Sequence, residues 1–227
     1  MMKLRFLHHS FFELSCSGHK ILIDPFMKTP KGVKVNAKTK CPVSEKALMD
    51  ADMILISHEH FDHFDKEFIE NVAGKKNCKI IAHDSLLNEI KAPLACKQAI
   101  SPNKKVTVDG ISIEAFHVHH PNSFYPLGFK VESGGVSIVH MGDTFLMDSF
   151  NKIKTDVLIL PIGGQMTLDI VDAVRLVKTI EPKIAIPMHY NTFDFIKASP
   201  KEFKDKIEDS VVNSKAKNLK CGEKIRI

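Results

Sequence analysis

The stretch Ser57-His58-Glu59-His60-Phe61-Asp62-His63 decides how the rest of the chain is read. It places His58, His60, Asp62 and His63 within six residues, directly after Ala51-Asp52-Met53-Ile54-Leu55-Ile56, a short apolar run that reads as a buried strand. A strand ending in such a run sets its imidazoles and carboxylate on a loop at the edge of a sheet. A turn there can aim alternate members at two adjacent centres. Neutral imidazole and carboxylate donors suit Zn(II), Fe(II) or Mn(II), and no thiolate is present to force the choice toward zinc. A solvated histidine-rich turn would not require this spacing at the end of an apolar strand.

Working outward, strands that end in His or Asp recur along the chain. Ile111 to Phe116, after the hairpin signal Asp109-Gly110, leads into His117-Val118-His119-His120. Val136 to Val139 leads into His140-Met141-Gly142-Asp143-Thr144, and Lys183 to Pro187 into Met188-His189-Tyr190. At the start, Lys3 to Leu7 and Phe11 to Ser15 read as two strands around His8-His9-Ser10, and Lys20 to Asp24 as a third that stops at Pro25. Helices are expected at 45–49 behind Ser44, at 66–72 behind Asp65, at 85–91, at 169–180 and at 200–209, with 224–227 closing a sheet edge. In the fourth of these, Ile170, Val171, Val174, Val177 and Ile180 form the apolar side. Residues 25–42, rich in proline and mixed in polarity, read as a long loop that is either a lid or a disordered excursion. Hairpins early and strand–helix units later imply two mixed sheets covered by helices.

The 227 residues, 44% hydrophobic and 26% charged, fit one globular domain spanning 1–227. No run approaches the roughly 20 apolar residues of a membrane span, and the N-terminal segment turns polar too soon for a signal peptide. Five scattered cysteines without a CxxC pair favour reduced thiols and a cytoplasmic location. The net charge of +5 is dispersed, tryptophan is absent and there are two tyrosines, so no nucleic-acid surface is expected.

The HxHxDH spacing, the opening His9-Ser10 with Leu22-Ile23-Asp24-Pro25, the Pro161-Ile162-Gly163-Gly164 stretch with Thr167, and Gly142-Asp143 together resemble the metallo-β-lactamase fold hydrolases. The likeness is greatest to a branch of metal-dependent hydrolases akin to ascorbate-6-phosphate lactonase and N-acyl-phosphatidylethanolamine phospholipase D. That resemblance implies an α/β fold of the four-layer αββα kind. It implies two divalent ions, zinc first and manganese or iron as alternatives, with one held by His58, His60 and His117 and the other by Asp62, His63 and His189. Asp143 would bridge them. A hydroxide shared by ions about 3.5–4 Å apart would attack a small ester, lactone, amide or phosphodiester, with Asp62 as the catalytic residue that orients it. His9, Asp24, His119, Gly164 and Thr167 would flank the ligands or line the substrate pocket. Metal-redox relatives carry Glu at the second His position, and His60 here favours hydrolysis. The competing readings are a metal-dependent nuclease, against which the short chain and dispersed charge argue, and a non-catalytic metal-binding protein.

The third ligand of the first centre stays open between two residues. Alternation along a continued strand puts His117 and His119 on one face and His120 on the other. The branch's Ala-x-His pattern matches Ala115-Phe116-His117 and favours His117, while a slipped register would hand the role to His119. Oligomeric state is not legible.

Overall fold

The computed structural model describes residues 2–227. Two seven-stranded mixed sheets face each other. The first runs β14-β1-β2-β3-β4-β5-β6, built from β1 (Lys3–His8), β2 (Phe11–Cys16), β3 (His19–Ile23), β4 (Met53–Leu55), β5 (Lys79–Ala82), β6 (Lys97–Ala99) and the returning β14 (Lys224–Arg226). The second runs β13-β12-β11-β10-β9-β8-β7. Its strands are β7 (Lys104–Val108), β8 (Ile111–His117), β9 (Leu127–Ser133), β10 (Val136–His140), β11 (Val157–Pro161), β12 (Ile184–Met188) and β13 (Lys215–Ala216).

Strand alternation sorts the apolar residues into three layers. Phe6, Phe12, Leu14, Ile21, Ile23, Met53 and Leu55 of the first sheet meet Ile111, Ile113, Phe129, Ile138, Ile159 and Ile186 of the second in a central core. The outward residues Leu22, Ile54 and Ile80 pack under α1 (Lys66–Lys75) and α2 (Asp84–Glu89). Leu158, Leu160 and Ala185 pack under α3 (Ile170–Ile180) and α4 (Pro200–Glu208). The result is the four-layer αββα sandwich expected from the sequence.

Local chemistry accounts for the helix ends. The side chains of Asp65, Asp169 and Ser199 accept backbone N–H bonds from Phe68, Asp172 and Glu202 and so cap α1, α3 and α4. Three expectations need correction. Residues 45–47 make only a 3₁₀ turn, because Ser44 places no side-chain cap on it. On α3 the buried side is Ala173, Val174, Leu176, Val177 and Ile180, with Val171 half exposed, because the apolar stripe is centred one position further round. The short edge strands β6 and β13 were not expected, since three- and two-residue pairings carry no periodic signal.

Strand direction positions the site. β1, β3, β4 and β5 run one way, as do β8, β10, β11 and β12 in the facing sheet. Their C-terminal ends meet across the sandwich. Leu127 N–H donates to Ser57 O at 3.0 Å, and His189 N–H donates to His9 O at 3.0 Å. No helix among the described residues is long and apolar enough to cross a membrane.

Candidate metal centre

At that shared edge the side chains gather into two clusters. His58, His60, His120 and Asp143 form one, and His9, Asp62, His63 and His189 the other, each with its donor atoms within 4.8 Å of one another. Asp143 lies between them, with one carboxylate oxygen 3.3 Å from His63 Nε2 and the other 3.1 Å from His189 Nε2, 3.8 Å from His120 Nε2 and 3.9 Å from His58 Nε2. It is delivered by Gly142, whose φ of +61° and close approach to Leu127 O and Ser57 leave no room for a side chain.

The hydrogen bonds on the far side of each ring reveal which nitrogen faces the cluster. A carbonyl oxygen can only accept, so His60 donates from Nε2 to Asn122 O (3.1 Å) and keeps the Nδ1 lone pair inward. His120 donates from Nδ1 to Met166 O (3.1 Å) and keeps Nε2 inward. Ser57 spends its hydroxyl proton on Asp24 Oδ2 (2.6 Å), so it accepts from His58 Nδ1 (2.9 Å) and leaves Nε2 inward. Burial holds the His58 ring well below the ordinary imidazole pKa and lowers that of His120, so these rings are neutral. Three nitrogen lone pairs therefore converge, with His60 Nδ1 only 3.1 Å from both His58 Nε2 and His120 Nε2. Lone pairs at that distance repel unless a cation lies between them. The edge of a tetrahedron of nitrogens about 2.0–2.1 Å from zinc is about 3.3 Å long.

The second cluster makes the same point through charge. His63 is fully buried, which opposes a positive ring, yet Asp143 at its Nε2 and Asp24 at its Nδ1 (2.8 Å) outweigh that and raise its pKa well above normal. The two carboxylates favour a cation at this point. Asp62 is held below the ordinary carboxylate range despite its burial, by a hydrogen bond from His9 and by its histidine neighbours. Asp143 Oδ1 and both ring nitrogens of His189 are buried without a hydrogen-bond partner, which is the state of donor atoms shaped for an ion. The residues present thus fit bound metal.

Among the residues expected at the site, the structure gathers His58, His60, Asp62, His63, Asp143 and His189. His117 does not join them. It is still paired with Leu127 in the ladder and exposed at the end of the strand, outside both clusters. His119 is exposed too, its ring against Phe145 and its N–H on Thr144 Oγ1 (3.0 Å). The strand ends at His117, so alternation does not extend to 120, and the departing chain turns His120 into the cleft.

His9 is completely buried at φ +56°, beside a bulge that shifts the β1–β2 register. Its Nε2 donates to Asp62 Oδ2 at 3.1 Å, and burial followed by the nearby His189 lowers its pKa to about 3. Asp24 takes up Ser57 N–H (2.7 Å), Ser57 Oγ and His63 Nδ1, beside the second cluster. Gly164 and Thr167 line the cleft, but as a closed turn rather than as free donors. Gly164 N–H donates to Leu168 O, and Thr167 Oγ1 to Gly164 O.

Two contributors escaped the sequence reading. Ser57 links Asp24 to His58. Glu59 accepts from Ser123 Oγ (2.8 Å) and Phe124 N–H (3.0 Å), fixing the loop that presents His120 and the Asn122 carbonyl. Only their position inside the histidine motif could have pointed to them.

An αββα sandwich with a His/Asp cluster at the common strand edge defines a metallo-β-lactamase-type protein. A family model for the β-lactamase superfamily domain matches residues 3–189. The chain is 33% identical to a UPF0173 metal-dependent hydrolase of Methanosarcina mazei, covering 100% of this chain and 99% of that one. It is 35% identical to another of Thermococcus kodakarensis, over 92% and 93% of the two chains. The solved structure of a metallo hydrolase from Ignicoccus hospitalis superposes with a TM-score of 0.83 at 26% identity, covering 99% and 97%. The chain therefore belongs to the β-lactamase superfamily, in its UPF0173 family of metal-dependent hydrolases.

Proposed function

We propose that the protein is a dinuclear hydrolase of small ester, lactone, amide or phosphodiester substrates. In this reading His58, His60 and His120 hold one ion, zinc before manganese or iron, while Asp62, His63 and His189 hold the other and Asp143 serves both. The observation that carries it is the convergence of three ring nitrogens, each with its opposite nitrogen committed to an oxygen. When bound, such ions supply Lewis acidity and lower the pKa of water from about 15.7 toward neutrality.

The chain's own groups do the rest. Asp62, with Oδ2 held by His9, orients the attacking water. Oxygens behind the rings keep the donors fixed while charge develops in the cleft. The five free cysteines support a reducing compartment.

The test is elemental analysis joined to turnover. Protein purified without chelator and reconstituted is expected to hold about two ions per chain and to hydrolyse members of an ester, lactone and phosphodiester panel. Chelation should abolish that turnover and added metal restore it. Trace metal only, or turnover indifferent to chelation, would remove the proposal.

A further inference from the structure

We propose, resting on the hydrolase reading above, that the substrate is an uncharged carboxylic ester or lactone with an apolar side group, and not a phosphodiester. The cleft over the clusters has a volume of about 410 Å³, at the small end of ligand pockets. Beyond the cluster residues its wall is Phe61, Met166, Phe195 and Ile196, with Asn122 and Gln165 as the longer polar side chains. Met166 and Phe195 are 38% and 52% exposed, apolar surface left at the mouth of a polar site.

This wall is built to stay in place. Phe195 stacks on the buried Phe193 at 5.4 Å, and Phe193 and Ile196 pack with Phe26, Phe61, Val35 and Ala37 in a cluster of their own. Loop 25–42 is the rear support of that cluster, tied by Lys38 N–H to Thr192 O at 2.7 Å. In this arrangement it supports the wall from behind.

Among the described residues, no lysine or arginine lines the cleft. Lys38 and Lys197 of the flanking loops both face Asp194. Phosphoryl oxygens are met by metal ions or by guanidinium and ammonium groups, and here, with no basic side chain in the wall, the clusters alone would have to meet both charged oxygens of a phosphodiester. An ester needs no basic side chain. Water attacks the acyl carbon, the acyl C–O bond breaks, and the water proton leaves with the alcohol, with no further co-reactant.

The experiment uses the zinc-loaded full chain and nitrophenyl acetate, butyrate, hexanoate and hemisuccinate, a hexyl γ-lactone and bis-nitrophenyl phosphate. Expected are kcat/KM values rising about two- to fourfold per added methylene, a hemisuccinate slower than butyrate, and a phosphodiester at least about 100-fold below hexanoate. Phe195→Ala should flatten the chain-length trend. A phosphodiester or hemisuccinate preferred to the neutral esters overturns this proposal and leaves the hydrolase reading intact, and so does a chain-length trend that is flat or survives in Phe195→Ala. Absence of turnover across the whole panel removes the hydrolase reading, and this proposal with it.

Discussion

β4 and β8 each run into a group of histidines, and the two groups behave differently. After β4 the chain leaves the sheet at once. Ser57 N–H is held by Asp24, His63 N–H closes a turn on His60 O, and His58, His60, Asp62 and His63 all reach the clusters within one loop. After β8 the ladder persists through His117, which stays paired with Leu127. Val118 then buries toward the helix-covered side, His119 is pinned at both its N–H and its carbonyl, and only the fourth residue turns inward. A histidine still held in the ladder stays outside the clusters. One beyond the strand points where its loop is anchored, and the anchors here come from Thr144, Phe145 and Met166, residues distant in sequence.

The comparison breaks most directly at the two ends of the second group. His120→Ala is expected to lose the ion of the first centre, leaving about one per chain, and to lower kcat/KM by more than about 100-fold. That exceeds the roughly 10- to 100-fold cost of removing only a partner behind a ligand. His117→Ala should hold both ions and stay within about twofold of the parent, since its ring is exposed outside the clusters. Metal content by mass spectrometry and steady-state kinetics check both, and the opposite ranking would return the ligand role to the strand residue.

A smaller effect sharpens the first group. Asp24 is completely buried at φ +49° and binds Ser57 twice and His63 once, so it fixes the loop and one ring together. Asp24→Asn keeps the size but removes the charge and one acceptor. Metal affinity is expected to fall about 10- to 100-fold, with turnover recovering at high metal concentration. Titration against a competing chelator measures it, and unchanged affinity would mean that backbone turns alone orient His63.

The same contrast explains what could be read from sequence. Most strands and the helices at 66–75, 170–180 and 200–208 were legible because apolar periodicity and the Asp65 cap are local signals, while the four-layer arrangement was legible only through the family likeness. Six of the seven residues that the family likeness implied as ligands, His58, His60, Asp62, His63, Asp143 and His189, lie together in the clusters, and they were legible through the motifs that follow β4, β10 and β12. His120 was not, because its placement depends on where β8 ends, and no residue between 117 and 120 is a turn former that would mark that end. The role of loop 25–42 was hidden for a related reason. Its contacts include Thr192, Phe193 and Ile196, more than 150 positions away, and pattern within the loop cannot show them.

The least costly test asks whether the ordered part of β8 and the departing segment are independent. Gly128 on β9 lies opposite Phe116, and a Cβ placed there would sit 2.2 Å from the far end of the Phe116 ring. That ring is only partly buried, so Gly128→Ala can be accommodated by swinging it away at the loss of its edge contact with Phe150. Overpacking of this kind costs about 1–3 kcal/mol, and the ring's mobility places the expected loss near the lower figure. At about 2–4 °C per kcal/mol for a chain of this size, the midpoint of thermal unfolding should fall by about 2–4 °C. Metal content and kcat/KM of the folded protein should not change, because His120 is anchored to Met166 rather than to the strand. If bound metal fell together with the midpoint, the register of β8 and β9 would reach the first centre after all, and the two histidine groups would differ less than their geometry indicates.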